Sequence, residues 1–392
     1  MKPPVRDLRN LESVQPAHWN RLVHGCSPFL EYGFLRALEA SGSVGRAAGW
    51  EPHYLVAQDP AAGAPTLLGA VVAYVKLHSY GEYIFDWGWA AASEDIGVSY
   101  YPKLVLAVPA TPATGRRILL APGLTGVQRD TVVGALIDAT RELADRESCS
   151  SIHWLFVTPD ERDLLTRHGF WPRASFQFHW HNRGYSDFEA YLTALTSRKR
   201  KQIRKERGGA LAQIDALEFV AGKDLCEEDT QLMEAFYRDT TAAYGGIEYL
   251  RAGFFTALAK FAPERLWFAR ARSGGRTCAG AVFLETPTAL YGRYWGCVEQ
   301  RRFLHFETAY YAGIERCIER QIPLFEAGAQ GEHKLLRGFS PSATHSAHWI
   351  RHPALARGVR RFLTQESVLV QRRMHALATA CPYRQVDAAG SS

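Results

Sequence analysis

The segment SIHWLFVTPDERDLLTRHGFWPRASFQFHW, residues 151–180, predicts a strand, a short helix and a second strand in direct succession. SIHWLFVT is an apolar run of strand length, PDERDLLTRHGF has the mixed polarity of a short helix, and ASFQFHW is again strand-like. This succession is typical of mixed α/β domains.

The sequence before this segment continues the pattern. Strands are predicted at HYLVAQD, LLGAVVAYVKL, EYIFDWGW (residues 82–89) and KLVLAVPA, and a helix at residues 129–146. PAAGAP is rich in turn residues and lies between the first two strands, which indicates an antiparallel start.

The second half repeats the order of helix, antiparallel strands, helix, strand, helix and strand. Its predicted strands are LEFVA, RLWFARA, CAGAVFLE, ALYGRYWG, PLFEAG and THSAHWIR, and its predicted helices cover residues 228–243, residues 306–320 and an amphipathic C-terminal segment. Residue identities do not repeat, so the pattern indicates two copies of one architecture.

Length supports the same division. A chain of 392 residues exceeds the roughly 250–300 residues that one hydrophobic core serves. We therefore predict an α/β (α+β) fold of two tandem domains, 1–178 and 179–380, each a mixed, mostly antiparallel sheet flanked by helices. Residues 381–392 are predicted to be a disordered tail.

Positive charge is concentrated in TSRKRKQIRKERGG, residues 196–209. Residues 198–207 hold seven Lys or Arg and one Glu, which equals the formal net charge of +6 of the whole chain. Four of these side chains are predicted to bind donor phosphates: Arg198, Arg200, Lys201 and Arg204. A solvated basic face is the alternative.

Several classes of protein lack their signal in this sequence. The seven cysteines are widely spaced and form no CxxC, which argues against a disulfide framework or a zinc site. No apolar run approaches the roughly 20 residues of a membrane span, and we expect a cytoplasmic protein without a bound metal. Walker, GxSxG, HExxH and GxGxxG motifs are absent from the sequence.

The densest polar cluster is FEAGAQGEHKLLRGF, residues 325–339, at the end of a predicted buried strand. Its candidate residues are Gln330, Glu332, His333, Lys334 and Arg337. Glu332 or His333 could accept a proton from an attacking amine, and Lys334 or Arg337 could hold a carboxylate or phosphate. For any one of these residues, a helix cap with solvated charges is the alternative.

A second cluster is YGRYWGCVEQRRFLHFE, residues 291–307, where a strand leads into a helix. Such joints can receive a phosphate or an oxyanion at the helix N-terminus. The candidates are Arg293, Tyr294, Trp295 and His305 for substrate, Arg301 and Arg302 for donor phosphate, and Glu307 as a base. Core packing with arginines at the rim is the alternative.

A third cluster lies on and around VKLHSYGEYIFDWGW, residues 75–89. The candidate substrate-binding residues are Lys76, His78, Glu82, Asp86 and, further on, Lys103. Asp86 lies in an apolar, aromatic run, where an unpaired carboxylate would be costly. A structural ion pair with Lys76 or Lys103 accounts for Asp86 as well as a binding site does.

Several segments resemble the bacterial FemAB-like predicted N-acyltransferases, a branch of the Gcn5-related N-acetyltransferase (GNAT) superfamily. They include GSVGRAAGW, YYPKLVLAVPATPATGRR, FQFHWHNRGYSDFEAYL, SRKRKQIRKER, LYGRYWGC, LHFETAYY and EAGAQGEHKLLRGF, and the match extends from about Leu11 to about Leu377. The resemblance implies two tandem GNAT-like domains. The segment with Lys334 and Gly338 is also similar to that of the Fem peptidyltransferases, which move an aminoacyl group from tRNA to an amine of a peptidoglycan precursor.

The sequence departs from ordinary GNAT enzymes at one place. These enzymes hold the CoA pyrophosphate on a glycine-rich loop, where backbone N–H groups converge. The corresponding joint here, VEQRRFLHFE, contains no glycine. Either the donor is not a CoA thioester bound in the usual way, or Arg301 and Arg302 replace the loop.

We therefore predict an N-acyltransferase in which a small-molecule or peptide amine attacks an acyl-CoA-type thioester directly in a ternary complex. One alternative is a Fem-like aminoacyltransferase that uses aminoacyl-tRNA as its co-substrate. Another is a non-catalytic GNAT-like scaffold that binds RNA or an anionic envelope precursor. No tightly bound cofactor is expected, and the sequence leaves open the acyl chain, the oligomeric state and whether the first domain is catalytic.

Overall fold

The computed structural model describes residues 2–25, 27–59, 66–243, 245–329 and 331–384. The chain forms two compact units, each assembled from three stretches. The first unit comprises Met1–Ser175, Glu248–Ala262 and Ala343–Val370, and the second comprises Phe176–Ile247, Pro263–Ser342 and Gln371–Ser392. The division into domains 1–178 and 179–380 stays a prediction, and the predicted tail 381–392 lies largely outside the described residues.

The strands are β1 (Val5–Leu8), β2 (Glu51–Gln58), β3 (Leu67–Lys76), β4 (Lys103–Leu106), β5 (Ile118–Leu120), β6 (Ser151–Val157), β7 (Trp171–His181), β8 (Ala216–Ala221), β9 (Leu266–Ser273), β10 (Arg276–Glu285), β11 (Ala289–Cys297), β12 (Leu324–Glu326) and β13 (Ser340–Ile350). The helices are α1 (Pro16–Val23), α2 (Tyr32–Ala40), α3 (Trp87–Asp95), α4 (Gly126–Arg146), α5 (Pro159–Arg167), α6 (Phe188–Thr193), α7 (Ser197–Leu211), α8 (Glu227–Ala243), α9 (Phe254–Phe261), α10 (Leu304–Phe306), α11 (Ala312–Glu319) and α12 (Pro353–Thr379). Short 3₁₀ turns occur at Arg46–Ala48, Gly222–Asp224 and Glu332–Arg337, and a π-helical turn at Glu307–Tyr311 joins α10 to α11.

The sheet of the first unit has the strand order β1-β2-β3-β4-β6-β13, and β5 also pairs with β3. Only the β4–β6 pair is parallel in this set. Helix α4 packs on the sheet through a periodic apolar face that includes Val133, Leu136 and Ile137, and these side chains share a core with Trp154 of β6. A capping box at Thr125 starts α4.

The sheet of the second unit has the order β7-β12-β11-β10-β9-β8. β11 and β12 are parallel, and the other neighbouring pairs are antiparallel. Its core joins the sheet to α11 through side chains such as Trp180, Phe283, Ile314 and Phe325. Each unit is therefore a mixed, mostly antiparallel sheet flanked by helices, and the predicted fold class is confirmed.

The predicted strand at residues 82–89 is wrong. The structure describes all of these residues, and instead of a strand they form a loop followed by the start of α3. Gly81 and Tyr83 have positive φ angles of 78° and 59°, which interrupt an extended backbone. An alternating apolar pattern does not distinguish a short strand from such a segment, and the Ala-rich residues after Trp87 favour a helix.

None of the helices within the described ranges is long and apolar enough to cross a membrane.

Candidate functional site

The parallel strands β11 and β12 of the second unit pair over only three residues each. Ala289–Tyr291 pair with Leu324–Glu326, after which β12 ends while β11 continues to Cys297. The chain then turns at Gly328, whose φ of 81° suits glycine. Polar side chains from the loop after β12 and from the π-helical turn gather near this strand end.

Lys334 is the most perturbed of these groups. Its side chain is 2% exposed, and Nζ donates a hydrogen bond to the Gly328 carbonyl oxygen at 2.8 Å. Burial, with a smaller contribution from Arg293, lowers the pKa of Lys334 to about 7. Near neutral pH, Lys334 can therefore exist both as an ammonium donor and as a neutral amine.

His333 lies beside Lys334 and contacts the π-helical turn. Its Nε2 is 3.0 Å from the Tyr310 hydroxyl. Partial burial, Arg337 and Lys334 lower the pKa of His333, so the imidazole is neutral at pH 7 and can accept a proton. Tyr310 was not singled out in the sequence, where nothing in LHFETAYY distinguishes it from a core aromatic residue.

His305 completes an aromatic group with these residues. Its ring centroid lies 4.6 Å from Trp295 and 5.2 Å from Tyr310. Burial lowers the pKa of His305 to about 4, with smaller contributions from His333 and Arg337. The predicted residues Trp295, His305 and His333 are thus brought together around Tyr310.

Two other predicted residues are held in ion pairs of the core. The buried Arg337 donates to Glu206 at 2.8 Å, and its guanidinium lies 3.4 Å from the centre of the Phe306 ring. Glu307 is 0% exposed and forms an ion pair with Arg207 of α7, in which a guanidinium nitrogen lies 2.8 Å from a carboxylate oxygen. Burial raises the pKa of Glu307. These contacts connect α7 to the segments that carry His333 and Tyr310, a structural role, and the predicted roles of Arg337 and Glu307 in chemistry stay predictions.

Other predicted residues lie at the edge of this group. Glu332 is exposed and forms an ion pair with Arg373. Arg293 and Tyr294 are half-buried on β11, with the guanidinium 5.5 Å from the Tyr294 ring centre. Gln330 lies outside the described residues.

The basic segment forms α7, and its positive side chains do not share one role. Arg204 pairs with Glu189, whereas Arg198 and Lys201 are exposed and Arg200 is half-buried. Within the described part of the chain, Arg198, Arg200 and Lys201 form no ion pair. They leave a positively charged, solvent-facing side of α7.

The predicted phosphate ligands Arg301 and Arg302 lie in the joint between β11 and α10. Arg301 donates to the Gln213 carbonyl oxygen at 2.5 Å, just after α7. Arg302 is exposed and lies 4.6 Å from the Phe303 ring centre. Both side chains are therefore near the C-terminal end of α7.

The first unit brings the other predicted residues into a buried charged cluster. Lys103 Nζ, which is 0% exposed, donates to Ser79 at 2.7 Å, to Glu82 at 2.8 Å and to Asp86 at 2.5 Å. Lys76 Nζ lies 3.5 Å from Glu82 and 3.4 Å from the centre of the Trp50 ring. The ion pair considered from the sequence is present, with Lys103 as the partner of Asp86.

The pKa values follow from this burial. Desolvation lowers the pKa of Lys76 to about 7 and raises that of Glu82. For Asp86, burial raises the pKa, but the charge and hydrogen bond of Lys103, together with hydrogen bonds from Ser79 and Tyr100, give a net lowering. Burial, aided by both lysines, lowers the pKa of the neighbouring His78 to about 4.

A hydrogen-bonded chain extends this cluster into the sheet. The Tyr100 hydroxyl donates to Asp86 at 2.7 Å and lies 3.4 Å from His153, whose Nδ1 is 2.8 Å from Nδ1 of His348. The two histidines are opposite each other on β6 and β13. This pairing could not be predicted from local sequence patterns, because the two strands are distant in the chain.

No group of three or more His, Cys, Asp or Glu side chains that could hold a metal ion occurs within the ranges that the structure describes.

Comparison with known proteins identifies the class. A model of the FemAB-like family, described as peptidoglycan biosynthesis/recognition, matches residues 10–385. The chain belongs to this family, and the predicted resemblance is confirmed. No curated protein matches the sequence.

Solved structures show the same fold. FemX is 9% identical to this chain with a TM-score of 0.53, and the aligned region covers 88% of this chain and 97% of the FemX chain. The C-terminal domain (DUF2156) of a putative lysylphosphatidylglycerol synthetase from Agrobacterium fabrum is 10% identical with a TM-score of 0.52, over 89% and 95% of the two chains. L-PGS from Bacillus licheniformis is 10% identical with a TM-score of 0.50, over 91% and 97%. Sequence identities this low show only that the folds are similar.

Proposed function

We propose that this protein is a Fem-type transferase that moves an aminoacyl or acyl group from an activated carrier to an amine of a peptidoglycan precursor. The observation that carries the proposal is the group formed by Lys334, His333 and Tyr310 at the end of the β11–β12 pair. It combines a buried cation of lowered pKa with a neutral imidazole. The family's description supports a cell-wall precursor as the acceptor.

In the proposed reaction, the amine attacks the carbonyl carbon of the donor and a C–N bond forms. The bond to the oxygen or sulfur of the carrier then breaks, and the carrier leaves with the bonding electron pair. His333 accepts at Nδ1 the proton that the amine loses, in the tautomer whose Nε2–H donates to the Tyr310 hydroxyl oxygen. Protonated Lys334 stabilises the negative charge that develops on the carbonyl oxygen.

Aminoacyl-tRNA is the donor that the surface charges favour. Arg198, Arg200 and Lys201 on α7 have no carboxylate partner among the described residues and suit a polyphosphate backbone. The lack of glycine in VEQRRFLHFE argues against the usual CoA pyrophosphate site. Acyl-CoA, held by Arg301 and Arg302, is the second candidate because both side chains lie at that joint.

The buried charged cluster of the first unit is not part of the proposed reaction. The substrate-binding roles of Lys76, His78, Glu82, Asp86 and Lys103 stay predictions. The cluster is buried, so its clearest contribution is to hold the loop after β3, which carries exposed aromatic side chains.

The test is transfer of a labelled group to a nucleotide-linked peptidoglycan precursor that bears a primary amine, detected by mass spectrometry. Aminoacyl-tRNA and acyl-CoA are supplied separately. We expect product with aminoacyl-tRNA, and a turnover reduced at least roughly tenfold in His333→Ala and Lys334→Ala, as for the loss of a general base or an oxyanion contact. Lys223→Ala removes an exposed lysine of the same unit and serves as the matched control.

Each outcome assigns a role. Product only with acyl-CoA would make the second donor the correct one. Tight precursor or tRNA binding without product from either donor would favour the non-catalytic scaffold. Near-normal rates in both alanine variants would remove the loop after β12 from the mechanism.

A further inference from the structure

Large apolar side chains are exposed in two stretches of the first unit. Of the thirteen such side chains in the part of the chain that the structure describes, eight lie in two short stretches, 77–96 and 362–369. They are Leu77, Tyr80, Phe85, Trp87, Ile96, Phe362, Val368 and Leu369, with exposed fractions between 42% and 64%. Scattered exposed apolar residues are ordinary, but a concentration of this kind marks an interaction site.

Contacts join the two stretches into one surface. The rings of Tyr80 and Trp87 are 5.0 Å apart. Arg173 donates to the Phe85 carbonyl oxygen at 2.9 Å, and its guanidinium lies 5.8 Å from the centre of the Phe362 ring. Leu369 is seven residues after Phe362 on α12, on the same helix face. We call Tyr80, Phe85, Trp87, Phe362 and Leu369 the apolar surface.

Arginines flank the apolar surface. Arg357, Arg360 and Arg361 are exposed on the turns of α12 around Phe362, about 100–160° around the helix axis from it. Arg360 and Arg361 also line an open groove of about 650 Å³ together with Arg162, and Arg360 lies 5.6 Å from the centre of the Trp171 ring.

Arg357, Arg360 and Arg361 form no ion pair among the described residues, and two nearby carboxylates are already paired. Glu366 is engaged by Arg173 through two hydrogen bonds of 2.7 Å. Asp163 pairs with Arg162. Glu94 and Asp95 adjoin Ile96, which is why we exclude that residue from the surface.

We propose that this side of the first unit docks on an anionic lipid bilayer, with the apolar surface entering the interface and the arginines binding lipid phosphates. Aromatic and aliphatic side chains beside arginines are the composition of interfacial membrane-binding segments, in which Trp and Tyr prefer the headgroup level. A second copy of the chain is a poorer partner. A symmetric contact would bring the arginines of α12 close to one another, where like charges repel.

The experiment is co-sedimentation of the purified protein with vesicles of phosphatidylglycerol and phosphatidylethanolamine, and with vesicles of phosphatidylcholine alone. We expect binding to the first, weakened by salt, and little binding to the second. Arg360→Gln with Arg361→Gln should lower the partition coefficient roughly thirtyfold, because each arginine near an anionic surface contributes about 1 kcal/mol.

The apolar contribution is tested separately with Trp87→Ser, Phe362→Ser and Leu369→Ser, each of which we expect to lower the partition coefficient roughly tenfold. These side chains are between 42% and 64% exposed, so the folding of the variants is expected to persist, and circular dichroism checks it. Matched control variants remove an exposed apolar side chain, or two exposed arginines, at positions outside the apolar surface. Val127→Ser changes an 80% exposed apolar side chain, and Arg238→Gln with Arg276→Gln removes two exposed charges.

The outcomes separate the explanations. Absence of binding to anionic vesicles, or equal losses in the control variants, would overturn the proposal. A concentration-dependent dimer that Phe362→Ser dissociates would assign the surface to a second copy instead. Vesicle binding requires no transfer reaction, so the result stands apart from the proposed function.

Discussion

Replacing Lys103 by methionine tests whether the buried cluster of the first unit is structural. Methionine keeps most of the side-chain volume but removes the ammonium that donates to Ser79, Glu82 and Asp86. Glu82 and Asp86 are then buried carboxylates without their main partner. In the described structure, Oε1 of Glu82 and Oδ1 of Asp86 already lack a hydrogen bond.

Breaking a buried pair on one side costs about 3–5 kcal/mol. Lys76 remains 3.5 Å from Glu82 and compensates in part, so we expect a loss of about 3 kcal/mol in the free energy of unfolding. For a unit of this size, that corresponds to a fall in Tm of roughly 6–12 °C. Urea denaturation measures the first quantity and thermal denaturation the second.

Two further variants make the result interpretable. Lys2→Met removes a lysine that is 64% exposed and pairs with Asp138, and it should change stability by less than about 1 kcal/mol. Adding Glu82→Gln and Asp86→Asn to Lys103→Met should recover part of the loss, since the uncompensated charges are gone. A loss below about 1 kcal/mol in Lys103→Met would refute the structural interpretation, and a stable variant that transfers no label would favour substrate binding.

Three other predictions concern the second unit. Because Lys334 has a pKa of about 7, a reaction that needs its ammonium should slow as the pH rises above 7, and Lys334→Arg, which stays protonated, should lose this decline in a pH–rate profile while its maximum falls. Glu206→Gln leaves the buried Arg337 without its carboxylate and should cost about 3 kcal/mol in urea denaturation, so a loss below 1 kcal/mol would show that the pair is not stabilising. Replacing Arg198 and Lys201 by glutamine should reduce the slope of log affinity for tRNA against log salt by roughly 1.5, whereas an unchanged slope would exclude both side chains from phosphate contact.

Much of the fold was predictable because secondary structure follows from local patterns. The apolar spacing of residues 129–146 predicted α4, and the strand, helix and strand of residues 151–180 correspond to β6, α5 and β7. The pattern failed at residues 82–89, where a loop and a helix satisfy the same apolar positions as a strand. There, the positive φ angle of Tyr83 and the ion pair between Lys103 and Asp86 favour the loop and helix over a strand.

The candidate site was predictable in composition but not in geometry. The sequence by itself determined where ionisable residues are concentrated: the polar loop after PLFEAG, the basic helix and the charged loop near Asp86. Tertiary structure alone decided which charges neutralise one another, since Glu206 meets Arg337 across 131 residues and Glu307 meets Arg207 across 100. It also decided burial, which brings the pKa of Lys334 to about 7. The physical reason is that periodicity is a property of the local backbone, whereas desolvation and pairing depend on groups that only folding brings within a few ångströms.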